Sequence, residues 1–426
     1  MSMSSKRVSR RQFLTRSVGG AAAFAAPMIV PRRVLGGPGQ TPPSEQITCG
    51  FIGVGGRGSG LLKEHSSAPW QPLAVCDVDQ ERRDRALQRL GPGCQGYRDF
   101  REVLDRKDID CVYIATPPHW HALISIAAAQ AGKDVYCEKP MTKFIHEGRA
   151  VADAMKRYNR IFQIGTGGRM GAGQYRKLFA SGILGKPVLV RMNTPRYSWK
   201  VKEWSGQINP RIENPPSNLD YDLWLGPAPW KPYHRHRVHG SFRGYWDYDG
   251  GGYSDMGAHY WDPVQYYIGA DDSGPVEIEA TAPWPAHPDA VGMWGTITYK
   301  FPNDVIVRCS SGEWGPNDDP PDAPFFEGPK GKVYGNRKTD PPDLMEKLRE
   351  FPDPPRMLGW EEALRKRQPA GGNAEVSHRV ATILHLGNLA IRLGRKLQWD
   401  PIKEEFIGDE EANRFVNVPM RAPWHL

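Results

Sequence analysis

The chain is predicted to be an α/β protein: a first domain of parallel strands covered on both faces by helices, then a second domain of different texture. Two observations predict this. Short apolar runs alternate with helical patterns as far as Gly165, which is the rhythm of a covered parallel sheet. Beyond Gly167, prolines, tryptophans and glycines become dense and the alternation fades. The implied divisions are residues 1–40, 41–166 and 167–426.

The first element is the one the others serve. Ile47, Phe51, Ile52 and Val54 form a run too short for a helix and suited to a buried parallel strand. It enters Gly53-Val54-Gly55-Gly56-Arg57-Gly58, which fits G-x-G-x-x-G. Gly53 permits the tight turn, Gly55 lets backbone approach a pyrophosphate, and Gly58 lets the next helix lie close to the strand. Gly56 and Arg57 open that helix, whose free N–H groups favour phosphate. The run Pro72–Asp77 then ends in an acid 24 residues after Gly53, the distance at which a carboxylate takes the ribose hydroxyls of a dinucleotide. With Asp79 nearby, Asp77 favours NAD, because a 2′-phosphate would meet a carboxylate. Arg82 and Arg83 keep NADP open.

The rest of the first domain follows in order. Arg57–Ser66 and Gln80–Leu90 are predicted as helices, and Asp110–Ala115 as a buried strand. Thr116-Pro117-Pro118-His119-Trp120-His121 closes that strand, and Ala122–Ala131 is an apolar helix. Asp134–Glu138 is a strand, Ile145–Tyr158 a helix and Ile161–Gly165 the last strand. At the carboxyl ends of these strands, Thr116, Pro117, His121 and Glu138 are expected to complete the cofactor site. Lys139, in the turn Glu138-Lys139-Pro140, faces the same crevice, unless it forms a strand-end salt bridge with Glu138. Proline at 140 makes the turn rigid.

Six cysteines contain no C-x-x-C, and Cys49, Cys76, Cys111 and Cys137 fall on the expected strands as small apolar residues. Hydrophobic content is 39% and no apolar stretch reaches membrane-span length. The formal charge is +8, of which residues 1–40 carry +7, leaving +1 for the body and no reason to expect nucleic-acid binding. Those 40 residues read as a targeting segment. Ser9-Arg10-Arg11-Gln12-Phe13-Leu14 fits a twin-arginine export signal, Val18–Val30 is moderately apolar, and Ala23-Phe24-Ala25 offers a cleavage site. The expected location is the periplasm, with no membrane span in the mature protein.

In the second domain, Tyr221–Pro229 is expected as a loop with aromatic anchors. His234-Arg235-His236-Arg237-Val238-His239 invites a metal, but its arginines repel cations and no Cys/His partner is spaced nearby. No metal is expected; a loop meeting polar substrate is. Gly250-Gly251-Gly252 precedes a helix through Trp261, Val264 and Tyr267, which Ser254 or Asp255 would cap. Asp255 and His259 are i and i+4 on one helix face. That is either a cap plus a packed histidine, or an acid–base pair in which Asp255 orients His259. Gly295–Phe301 and Val305–Ser310 alternate as antiparallel strands, Pro316–Pro355 reads as loop, and Val376–Leu393 is a helix. Trp399–Leu426 has no clear local signal.

In this order the motifs resemble the Gfo/Idh/MocA oxidoreductases, the family of glucose–fructose oxidoreductase and inositol dehydrogenase. The resemblance rests on the glycine loop, Asp77, Glu138-Lys139-Pro140, the triple glycine and Asp255-x-x-x-His259, with a further likeness over His385–Pro401 to exported members. It implies a Rossmann domain, a second domain with an open, mainly antiparallel sheet used for oligomerisation, and NAD or NADP as cofactor. It also implies a carbohydrate substrate held by Lys139, Asp255 and His259, with His259 as general base and Lys139 stabilising alkoxide. The other classes are an exported NAD-dependent glycosidase or lyase that oxidises a sugar carbon transiently, and a non-catalytic sugar sensor.

Overall fold

The computed structural model describes residue 42 and residues 45–193, 197–200, 202–283, 285–311, 319–320, 322–335 and 338–426. Residues 1–40, expected from the sequence to be an export signal, lie outside the described residues. Thr48–Leu426 form one compact unit containing two sheets.

The first sheet contains β1 (Ile47–Ile52), β2 (Trp70–Cys76), β3 (Gln95–Tyr97), β4 (Cys111–Ile114), β5 (Asp134–Cys137) and β6 (Phe162–Ile164), in the order β3-β2-β1-β4-β5-β6. Its ladders run parallel, with Cys49 opposite Cys111 and Val112 opposite Val135. The strands are continuous apolar runs because helices cover both faces. Those helices include Gly56–Glu64, Gln80–Leu90, His121–Gln130 and Ile145–Arg157. Asp79 starts the second by accepting the Glu81 N–H at 3.0 Å. All six cysteines are free and buried.

Among the described residues, the second sheet has nine strands: β7 (Val188–Met192), β8 (Glu277–Thr281), β9 (Thr296–Lys300), β10 (Val305–Ser310), β11 (Phe326–Gly328), β12 (Gly331–Val333), β13 (Thr339–Asp340), β14 (Leu397–Asp400) and β15 (Glu405–Phe406). It is antiparallel except where β10 pairs with β7. Three strands fall inside the proline-rich stretch expected to be loop, and β15 with the end of β14 falls in the unplaced tail. Tyr221–Leu225 is a short helix, not a loop, capped by Asp220.

The helix Ala374–Leu393 joins the halves: it lies against Ile145–Arg157 on one side and against Gly251–Ile268 and β8 on the other. Asn373 caps it through the Glu375 N–H, and Gly394 ends it in the left-handed region. Arg149 fastens the contact by donating to Glu375 at 2.6 Å and Glu404 at 2.7 Å. The carboxyl-terminal tail also returns to the first domain, where Trp424 meets Trp120 edge-on at 4.7 Å. Among the described residues, no helix is long and apolar enough to cross a membrane.

Candidate active site

A cavity of about 710 Å³ opens at the carboxyl ends of the parallel strands, and residues of both domains line it. Its floor is the glycine loop. Gly53 has φ +83°, and a Cβ there would stand 2.7 Å from the Ala115 carbonyl carbon. A Cβ on Gly58 would stand 1.9 Å from Gly53 O, so helix and strand are as close as glycine allows. Gly55 caps the Gly56–Glu64 helix without a side-chain acceptor, and no acid sits in its first turn. The terminal N–H groups are therefore left for a ligand, with open space at Gly56.

Asp77 lines this cavity, but its carboxylate is largely engaged by the protein. Oδ2 accepts the Val54 N–H at 2.9 Å and Oδ1 the Asp79 N–H at 3.0 Å. Asp77 thus braces the glycine loop as well as lining the cavity, and each carboxylate oxygen keeps a lone pair beyond these bonds. Burial pushes its pKa up. Asp79, Arg82 and His239 surround the adjacent wall, with Asp79 Oδ2 3.7 Å from His239 Nε2. Arg82 lies over the loop, where a Cβ on Gly55 would meet its guanidinium at 2.3 Å. Arg83 turns away and donates to Asp77 O at 2.9 Å.

Thr116 and Pro117 form the next wall, and Thr116 Oγ1 is buried without a hydrogen-bond partner. An uncapped helix terminus, a cradle any Cβ would fill and an orphan hydroxyl together fit a dinucleotide. His121 does not line the cavity, against expectation. Its ring is buried behind the wall, with Nε2 2.7 Å from Thr116 O and Nδ1 2.8 Å from Pro140 O. Burial lowers its pKa to about 4, so the neutral ring donates to only one of these two carbonyls.

Glu138 and Lys139 do not pair with each other. Glu138 accepts from Arg57 Nε at 2.7 Å, which anchors the glycine-loop helix. Lys139 Nζ donates to Asp255 Oδ2 at 2.5 Å and to Asp255 O at 3.2 Å. The other oxygen, Asp255 Oδ1, accepts from Arg243 Nε at 2.8 Å. Burial alone would raise the Asp255 pKa, but these two cations more than offset it and the net shift is downward.

Asp255 therefore neither caps its helix nor holds His259. The helix Gly251–Ile268 starts at Gly250 with no side-chain cap. Ser254 Oγ instead accepts from Asn388 Nδ2 at 2.6 Å. The i,i+4 spacing permits an Asp255–His259 contact, but Lys139 and Arg243 outcompete a neutral imidazole for the carboxylate. His259 Nδ1 approaches Thr166 O at 3.3 Å. A carbonyl only accepts, so Nδ1 carries the proton and Nε2 is left as a base. Burial, then the charge of Lys139, lowers the His259 pKa from 6.5.

Thr166, Lys200, Trp204 and Arg243 also line the cavity, and no local sequence pattern marks them. Arg243, in the 3-10 helix His239–Gly244, lies 4.7 Å over the Trp204 ring, a contact set by tertiary folding rather than by any local pattern. In the histidine-rich run only His239 reaches the cavity; His236 Nδ1 lies 2.8 Å from Tyr245 OH. Among the described residues, no three His, Cys, Asp or Glu side chains are grouped to hold a metal.

Comparison with known proteins agrees with this architecture. Residues 47–166 match the Gfo/Idh/MocA model described as an oxidoreductase family NAD-binding Rossmann fold. Residues 170–426 match the C-terminal alpha/beta domain model of the same family. Inositol 2-dehydrogenase of Salmonella typhimurium is 30% identical over 149 residues, 34% of this chain and 44% of that protein. Alpha-N-acetylgalactosaminidase of Shewanella oneidensis is 34% identical over 125 residues, 27% of each. The chain thus spans less than half the length of these curated relatives. The crystal structure of aldose-aldose oxidoreductase from Caulobacter crescentus shares the fold, with TM-score 0.53, 17% identity, and coverage of 83% of this chain and 99% of that one. With both domain models matched in order along nearly its whole described length, the chain belongs to the Gfo/Idh/MocA oxidoreductase family and carries its NAD-binding Rossmann domain.

Proposed function

We propose that this protein is an exported, NAD(P)-dependent oxidoreductase acting on a hydroxyl or carbonyl of a sugar or polyol. One observation carries the reading: Lys139, Asp255 and His259 line the same cavity as the glycine loop. A bound nicotinamide supplies the hydride acceptor. His259 Nε2, unprotonated near neutral pH, takes the proton of the substrate hydroxyl. The Lys139 ammonium donates to the same oxygen as negative charge grows there. Asp255 fixes the ammonium in place, and Arg243 keeps Asp255 ionised. Asp79 on the wall beside the glycine loop favours NAD, while Arg82 on the same wall leaves NADP open.

Because burial and Lys139 both lower the His259 pKa, the acid limb of kcat/KM is expected to have its midpoint below 6.5. In Lys139→Met the midpoint should move upward, since a repelling charge is gone while Asp255 stays. A midpoint unmoved by that substitution would assign the limb to another group.

Trp204, His239, Phe242 and Arg243 of the second domain wall the cavity that holds the glycine loop, which supports slow cofactor release. Together with the twin-arginine segment, which carries folded proteins, this points to a dinucleotide loaded before export and a cycle that closes on the enzyme. One sugar reduces the cofactor and a second reoxidises it, with ping-pong kinetics. Desalted periplasmic protein should release one dinucleotide per chain on denaturation. Empty protein that depends on added NAD would overturn the closed cycle. The glycosidase name borne by one relative motivates a parallel assay: release of reducing sugar without net oxidation would favour that second reading. A homo-oligomer formed through the open sheet belongs to the same proposal, and light scattering tests it.

A further inference from the structure

A second chamber, of about 190 Å³, adjoins the turns that carry the catalytic groups. Pro140 and Ser254, chain neighbours of Lys139 and Asp255, form part of its wall. Lys143, Asp247, Asp249, His385 and Arg392 line it too. Four buried atoms of these residues have no hydrogen-bond partner: Asp247 Oδ2, Asp249 Oδ2, His385 Nε2 and Arg392 Nη1. Asp249 is 1% exposed and His385 8%, so bulk water does not satisfy them. Native interiors rarely leave one such group unpaired, and four around one chamber call for an occupant.

The charges here are held apart. Lys143 Nζ sits 4.5 Å from the Phe144 ring centroid, and the Arg392 guanidinium 5.1 Å from that of Trp246. Arg392 Nη2 donates to Pro288 O at 3.2 Å. Asp249 Oδ1 accepts the Gly250 N–H at 2.7 Å, and the carboxylate of Asp247 comes only within 3.8 Å of Lys231. Among the described residues, neither cation pairs with either carboxylate. Burial moves each group toward its neutral form: Asp249 and Asp247 upward, Lys143 and Arg392 downward, and His385 to about 3.

We propose that this chamber is a second binding site, for a small neutral polyol. An anion would face two carboxyl groups, a cation would face Lys143 and Arg392, and an apolar ligand would leave all four atoms unpaired. A hydroxyl both donates and accepts, so a row of hydroxyls bridges the separated charges. The rings of Phe144, Trp246 and Phe415 border the C–H faces. The space equals roughly six waters at ~30 Å³ each, enough for a molecule between glycerol and a hexitol. The site is independent of the oxidoreductase reading and stands or falls without it.

The test is calorimetric titration of the full-length protein, with its retained dinucleotide, using glycerol and glucitol, plus crystals soaked in each. The expected result is saturable polyol binding that Leu389→Trp, which fills the chamber, and Arg392→Met each weaken at least tenfold. Cofactor content and turnover of an added sugar should be unchanged, and electron density should show the polyol beside Asp249 and His385. Polyol binding in the catalytic cavity alone would be untouched by both variants and would overturn the proposal. So would ordered waters only in the chamber, or occupancy by glycine with no response to polyols. If Leu389→Trp fails to fold, as thermal melting would show, Arg392→Met carries the test.

Discussion

Lys139→Met is expected to lower kcat by about a hundred- to a thousandfold, the usual effect of removing one donor from a developing oxyanion. Methionine matches the length of the lysine stem and keeps the turn filled. Asp255 retains Arg243 at 2.8 Å, so the buried carboxylate is not stranded. The glycine loop and Arg57–Glu138 pair lie on other residues, so the bound dinucleotide should remain. The measurement is single-turnover reduction of bound cofactor by the true substrate, with cofactor content determined on the same sample. Near-normal kcat in the variant would remove Lys139 from the chemistry and with it the electrostatic part of the proposal.

The second large effect concerns stability. Arg169 is 2% exposed, yet it donates to Asp262 at 2.7 Å through Nε and to Asp271 at 2.7 Å through Nη1. Asp262 also accepts from Thr166 Oγ1 at 2.5 Å, and Thr166 O is the acceptor for His259. Arg169→Met leaves a buried carboxylate without its cation, which typically costs about 3–5 kcal/mol. Denaturant unfolding should show that loss, and kcat should fall as well because the Thr166 carbonyl shifts beneath the imidazole. Arg169→Met combined with Asp262→Leu should recover much of the stability and little of the activity. A single-variant loss below about 1 kcal/mol would mean that water already reaches the pair.

How far the sequence reveals this molecule depends on how local each signal is. The strands around Cys49, Val112 and Val135 are legible because two covered faces demand unbroken apolar runs. β3 was not foreseen, since Gln95–Tyr97 is three residues long and mostly exposed. Phe326–Gly328 and Gly331–Val333 are mostly buried but equally short and set among prolines, so no alternation builds up in them. In the site, Lys139, Asp255 and His259 carry motif-scale signals, and the structure brings all three to one cavity. Their partners do not. Arg243 reaches Asp255 from the short 3-10 helix His239–Gly244, and Thr166 reaches His259 from beyond the end of a strand, so both contacts exist only once the chain has folded. Asp77 shows the converse: the residue was legible, but its engagement by the Val54 and Asp79 amides was not.

On the function proposed above, the bond between Lys139 and Asp255 limits what the site can recognise. An ammonium has three N–H bonds. Two of these point at Asp255, toward Oδ2 and the main-chain carbonyl oxygen. One direction is left for a substrate oxygen. A sugar presents a ring of chemically similar hydroxyls, and a freely rotating lysine would sample several of them. With a single remaining vector, fixed relative to the His259 lone pair, only one hydroxyl at a time can be both held and deprotonated. On that function, one free N–H restricts the site to one hydroxyl per binding mode, and the shape of the remaining wall selects which.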